Sequence, residues 1–216
     1  MQAQTSFQRR TQPTSPATPD EAVKLIGAAR SFSRDQEVFG EGEPADAIYR
    51  VASGVVRSFR ILADGRRQIA DFYLPGDIFG VEAGQRRQAT AEAVSDATLI
   101  VARRSSLVGS EGQESWGLWR LAMDELARSQ EHVLTLGRRS ASERVASFLL
   151  SLAERLGAGD VVEVPMSRQD IADYLGLTIE TVSRTLTQLQ ADGVLEVRGC
   201  RQIRFADRGA LEKLRQ

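Results

Sequence analysis

Cysteine and histidine are almost missing: the 216-residue chain has one of each, Cys200 and His132. One thiol cannot close an internal disulfide, and it rules out a zinc site or an iron–sulfur cluster built on several cysteines. One histidine rules out a multi-histidine metal centre. Long apolar runs are also missing, and no stretch approaches the ~20 residues that a spanning helix needs. Nor is there an excess of either charge: 28 Lys and Arg face 29 Asp and Glu, a formal net charge of −1. Such a balance argues against a surface that binds polyanions over its whole extent. Residues 1–20 contain no acid before Asp20, and are rich in Gln, Ser, Thr and Pro. Without an apolar core segment for secretion or an amphipathic stripe, they read as part of a mobile tail, residues 1–25, on a cytoplasmic protein.

What is present is enough for real cores. An apolar share of 42% is too high for a disordered chain, and the length suits one large domain or two ordinary ones. From Phe32 to Arg103, short apolar runs alternate with turn pairs such as Ser53-Gly54, Asp64-Gly65 and Pro75-Gly76-Asp77. Strands are expected at Ala47–Ala52, Val55–Leu62, Gln68–Tyr73 and Ala97–Ala102, with a tight hairpin at Ala63-Asp64-Gly65-Arg66. Evenly spaced short strands indicate a double-sheet barrel or jelly roll over residues 26–112. Barrels of this kind can house metal enzymes, but this segment has no histidine to serve as ligand.

After Gly112 the apolar period changes from 2 to 3.6. Alternating steps of three and four connect Trp119, Ala122, Leu126, Ser129, Val133 and Leu136. A helix over about Ser115–Arg139 would be ~37 Å long. It either packs on its own barrel or forms a two-fold seam between identical subunits, with residues 113–139 as the dimerisation element. His132 lies beside this seam and reads as a surface or interface side chain.

Residues 140–216 are the most specific segment. An amphipathic helix, Ala141–Leu156, is followed by a short strand at Val161–Val164. Ser167 with Asp170 then opens a first helix as a capping box. Gly176 ends that helix, Thr178 caps a second, and Val182, Leu186 and Leu189 form the second helix's buried face. This is a helix-turn-helix. Ile179, Glu180, Ser183 and Arg184 are left off the core face, near the N-terminus of the second helix, where recognition helices meet base edges. Arg can donate twice to guanine and Glu can accept from cytosine. Glu180 and Arg184 are also an i,i+4 pair, so they could equally be a solvated salt bridge. Two strands, Val194–Arg198 and Gln202–Phe205, form a wing whose Arg198 and Arg201 suit phosphate contacts. Ser167, Arg168, Thr178 and Thr181 are further phosphate candidates, since helix N-termini attract anions. A last helix runs from Asp207 to Leu214.

Barrel, long helix and winged helix-turn-helix, in that order, resemble the CRP/FNR family of bacterial transcription regulators over about residues 30–215. The most specific match is Glu180-Thr181-Val182-Ser183-Arg184, which fits the family's E-x-x-S-R reader. The resemblance implies an α+β protein with a cyclic-nucleotide-binding-like barrel. It also implies a homodimer reading a palindrome of TTGA-type half-sites in double-stranded DNA, and activation through RNA polymerase. The family's cyclic-nucleotide cassette is not kept: the corresponding residues are Gly80-Val81-Glu82 and Arg86-Arg87-Gln88-Ala89, with the two arginines read as solvated. Cluster cysteines and haem ligands are absent as well. The pattern is similar to the FixK-like branch, which implies a low-oxygen response with no cofactor, no metal and no membrane partner. A regulator gated by a small molecule in the barrel, and a barrel enzyme carrying a winged-helix module, are the rival readings. The second rival lacks a nucleophile–base pair in the barrel, which favours a non-enzyme. Cys200, between Arg198 and Arg201, is either incidental or a redox-sensitive thiol whose oxidation would place negative charge beside DNA.

Overall fold

The computed structural model describes residues 25–107, 113–138, 140–199 and 201–215. The tail therefore lies outside the described residues except for Leu25. Leu25 is buried against Ile48 and Ala102 instead of belonging to a mobile segment.

Eight strands build two antiparallel sheets. One has the order β1 (Ala28–Phe32), β8 (Ala97–Arg103), β3 (Ala47–Ser53), β6 (Ile78–Phe79). The other has the order β2 (Glu37–Phe39), β7 (Thr90–Ala93), β4 (Val56–Ile61), β5 (Arg67–Tyr73). Phe39, Tyr49, Val51, Val56, Tyr73, Phe79 and Leu99 fill the space between them. At the hairpin joining β4 to β5, the Gly65 amide donates to Leu62 and Gly65 takes a φ of 82°, which its missing Cβ permits. The expected long strands are present to within a residue or so at either end. The short β1, β2, β6 and β7 were not foreseen, because two- to five-residue strands leave too little pattern to read.

Strand β4 departs from simple alternation. Val56, Arg57, Ser58 and Phe59 are all buried while Ile61 is exposed. The outer face of β4 and β5 is not in water. Phe59, Ile69, Phe72 and Leu74 join one continuous apolar cluster with the helices of the C-terminal half. Arg57 is tolerated there because three carboxylates meet it, those of Glu92, Asp35 and Asp170.

A short 3₁₀ turn, Arg104–Leu107, ends the barrel, and helix α1 spans Gln113–Arg138. Helix α2 (Ala141–Arg155) begins with a capping box between Ser140 and Glu143 and buries Val145, Phe148, Leu149 and Leu152. Leu156, expected on that buried face, is partly exposed beyond the helix end. Helices α3 (Arg168–Leu175) and α4 (Ile179–Ala191) make the helix-turn-helix. The turn is sharp because Gly176 is left-handed, with a φ of 62°. Strand β9 (Val161–Glu163) pairs with the wing, giving a three-stranded sheet in the order β10 (Leu195–Arg198), β11 (Gln202–Phe205), β9. Helix α5 (Arg208–Arg215) buries Leu211 on α2. Among the described residues, no helix is long and apolar enough to cross a membrane.

Phe72 ties the layers together: its ring lies 5.2 Å from Tyr174 of α3 and 6.1 Å from Phe148 of α2. Phe72→Ala is expected to cost about 3–5 kcal/mol of stability, measured by urea denaturation, because the cavity opens where two hydrophobic layers meet.

Candidate nucleic-acid interface

Helix α4 presents its candidate readers through local chemistry. The Thr178 hydroxyl accepts from the Thr181 amide at 3.2 Å, which sets the first turn. Val182, Thr185, Leu186 and Leu189 turn inward and are buried. Ile179, Glu180, Ser183 and Arg184 are therefore left on the exposed side, the arrangement the apolar spacing indicated. The expected Glu180–Arg184 ion pair, however, does not close: among the described residues neither side chain has an ion-pair partner within 4 Å. Hydrogen bonds from its own backbone amide and the Thr178 hydroxyl hold the Glu180 carboxyl below its ordinary pKa, with a lesser pull from Arg184. Glu180 is thus an ionised acceptor locally held at the helix start, and Arg184 an exposed donor with no ion-pair carboxylate among the described residues.

The start of α3 carries the next candidate residues. The Ser167 hydroxyl accepts from the Asp170 amide at 3.0 Å, and the Asp170 carboxylate in turn accepts from the Ser167 amide. Arg168 follows on the first turn. It is half-buried, burial lowers its pKa, and no described carboxylate lies within ion-pair distance. Arg168 and Arg201 of the wing line one small cleft between α3 and the β10–β11 hairpin. A desolvated, unpaired guanidinium at a helix N-terminus suits an anion.

The rest of the wing is less basic than its arginines indicate. Glu196 takes Arg198 at 2.9 Å and Arg204 at 3.1 Å, and Arg208 pairs with Glu212 at 3.1 Å. The two arginines draw the Glu196 carboxyl below its ordinary pKa, chiefly through the Arg198 hydrogen bond. Period-2 alternation placed Glu196 on the strand, but cross-strand register with Arg204 was needed to show that it neutralises the wing face. Cys200 lies outside the described residues.

The long helix leaves its seam open. Trp119, Ala122, Leu126, Ser129 and Val133 are exposed and Leu136 is half-buried. His132 is turned the other way: it stacks on Tyr174 with ring centroids 4.1 Å apart, and burial lowers its pKa. It is an intrachain packing residue, not a surface or seam one.

Inside the barrel the expectation of solvated arginines holds for Arg86 and fails for Arg87. Arg86 is exposed, whereas Arg87 is 2% exposed and donates to the carbonyls of Gly80 and Ala47 at 2.7 and 2.5 Å. Its guanidinium lies 4.1 Å above the Phe39 ring and 5.5 Å from that of Tyr49. A Cβ on Gly80 would stand 2.9 Å from Arg87, so this glycine makes room for the plug. A separate cavity of about 80 Å³ lies where β5, α1, α2 and α3 meet, lined by Asp71, Arg128, His132 and Tyr174 among others. That is room for a few waters. Asp71 is buried there with Arg128 at 3.4 Å and Arg155 at 3.8 Å. Desolvation outweighs both arginines and pushes its carboxyl up to about 6.

Comparison with known proteins follows the same division of the chain. Residues 143–214 match the Crp-like helix-turn-helix domain, and residues 29–109 match the cyclic nucleotide-binding domain. The nitrogen fixation regulation protein FixK of Azorhizobium caulinodans is 50% identical over 206 residues, covering 92% of this chain and 83% of that one. The transcriptional activatory protein AadR of Rhodopseudomonas palustris is 39% identical, covering 84% and 79% respectively. The solved structure of FixK2 from Bradyrhizobium japonicum superposes with a TM-score of 0.85 at 46% identity, covering 89% of this chain and 98% of that one.

Asp71 gives the protein a distinctive pH response. Its folded pKa of about 6 stands above the ordinary 3.8. Between these values the native state holds a proton that the unfolded chain has lost. This group therefore lowers stability as pH rises from about 4 to about 6, by an amount on the order of 3 kcal/mol. Denaturation of the wild type and Asp71→Asn across pH 4–7.5 should show the variant gaining relative stability through that window. A constant difference would reject the assignment.

Proposed function

The chain belongs to the CRP/FNR family of transcription regulators, on its FixK side, and from that premise we propose that it is a homodimer reading a palindrome of TTGA-type half-sites. We infer that it activates transcription in a low-oxygen response in the cytoplasm, without a small-molecule effector. The observation that carries the reading is the start of α4. Glu180 and Arg184 stand exposed, with no ion-pair partner among the described residues, on a helix whose opposite face is locked into the core. Glu180 accepts from cytosine N4, Arg184 donates to guanine O6 and N7 of the paired base, and Ile179 and Ser183 pack beside them. Ser167, Arg168, Thr178, Thr181, Arg198 and Arg201 hold the phosphates, so that register is set by the backbone and sequence by the bases.

Dimerisation is supported by the open side of α1. Trp119, Leu126 and Val133 follow one another at seven-residue intervals and are 59%, 49% and 66% exposed. An apolar stripe of that period fits a second copy of the same helix. Arg87 supports the effector-free reading, because its side chain already occupies the aromatic end of the barrel and satisfies the carbonyls there. A ligand-gated regulator would have to displace it. Activation draws support from the name of the AadR relative. The segment Gly157–Glu163, exposed at Gly157, Gly159, Asp160, Val161 and Glu163, is the surface we assign to RNA polymerase.

Mobility-shift assays on a TTGA…TCAA palindrome test the reading with purified protein alone. Arg184→Ala is expected to lose ~1–3 kcal/mol of specific binding, and Arg201→Ala to weaken all sequences alike with a salt slope shallower by about one. Binding that appears only after a small molecule is added would overturn the effector-free reading. Leu126→Glu with Val133→Glu should give a monomer in sedimentation analysis and abolish palindrome binding. A dimer that persists would remove the seam assignment.

A further inference from the structure

We propose that Arg57 and Arg67, both on the barrel, are positioning residues for operator reading. They grip the first turn of α3 and thereby decide which spacing between half-sites the protein accepts. This rests on the homodimeric reading above. The grip centres on Asp170, whose side chain is 4% exposed. One oxygen, Oδ2, accepts from the Ser167 amide at 3.0 Å and from its hydroxyl at 2.7 Å, which completes the local cap. The other, Oδ1, accepts from Arg67 at 2.6 Å and from Arg57 at 3.2 Å. A capping box needs no such partners, and on a free helix the second oxygen would face water.

The contact is extended along the helix. Arg67 turns its Nε to Asp173 Oδ2 at 2.7 Å, and Gln68 donates to the Asp173 carbonyl at 2.8 Å. Arg67 therefore spans both turns of α3, and Gln68 adds a second bond at Asp173. On the barrel side Arg57 is anchored by Glu92 at 2.6 Å and Asp35 at 3.3 Å, so its guanidinium cannot follow a helix that swings away. Apolar packing of Phe72 on Phe148 and Tyr174 supplies attraction without direction. The forked guanidinium bonds supply the direction, because each fixes a plane as well as a distance. In a dimer joined through α1, the separation and tilt of the two α4 helices depend on how each α3 sits on its own barrel. Half-site spacing is the geometric output of that placement.

The test measures binding of the full-length protein to palindromes with the preferred spacer and with spacers one base pair longer or shorter. Arg67→Met keeps the apolar stem and removes every donor. It is expected to reduce the preference for the correct spacer by about tenfold. Discrimination against a base change inside a half-site should stay as in the wild type. Arg67→Lys, which keeps the charge and loses the fork, should fall between the two. Ser167→Ala, which weakens the cap and leaves the grip, should lower affinity for all spacers equally. Asp173→Asn is milder, guards against a folding defect in Arg67→Met, and should move the spacing preference in the same direction. Spacing preference within about twofold of the wild type in Arg67→Met and Asp173→Asn would overturn the proposal. A wild type that binds a lone half-site as tightly as the palindrome would remove the dimeric reading, and the positioning role with it.

Discussion

Asp170 is the carboxylate on which the two halves of the molecule agree. It closes the N-terminal cap of α3 with one oxygen and meets Arg57 and Arg67 of the barrel with the other. A buried carboxylate without such partners would be costly, and buried arginines without it would be costlier still. The burial of Arg57 in β4 and the placement of α3 against β5 both depend on this mutual need, while a register shift between Ser58 and Phe59 turns Phe59 into the same interface. Around it lies an uninterrupted apolar cluster from Phe59 and Phe72 through α2 to the reader helix. The helix-turn-helix is packed onto the barrel instead of being suspended on a linker.

Charge in this protein has to be read at the scale of single faces. The net charge of −1 argued against a polyanion partner, and the wing reinforces caution, because Glu196 takes up both Arg198 and Arg204. Within the two helices of the motif, Arg168 on the first turn of α3 and Arg184 on the second turn of α4 have no ion-pair carboxylate among the described residues. In the proposed dimer, specificity would lean on bidentate base contacts and on two copies acting together, with a modest electrostatic background.

The helix-turn-helix was legible residue by residue. Ser167, Asp170, Gly176, Thr178 and the Val182–Leu186–Leu189 stripe are local signals, each acting within three or four residues, and the structure has each in its expected role. The barrel was legible as a class and less so in detail, because β2 and β6 are too short to leave a period. Arg87 could not be placed, since its solvation depends on Phe39, Ala47 and Gly80, which reach it only through the sheet topology. The contacts of His132 were hidden for the same reason, Tyr174 lying 42 positions away in the chain and on another helix.

By itself, then, the sequence determined the order of elements, the helix caps, the buried face of each helix and the family's reader motif. These depend on periodicity and on side chains bonding to their own backbone. Tertiary structure alone decided which ions are paired. It left Glu180 and Arg184 apart where an i,i+4 bridge was available, and joined Arg67 to Asp173 across more than a hundred residues. Spacing along a chain fixes which groups can share a helix face. Only the folded packing sets whether water, a neighbour or a distant strand offers a charge its best partner.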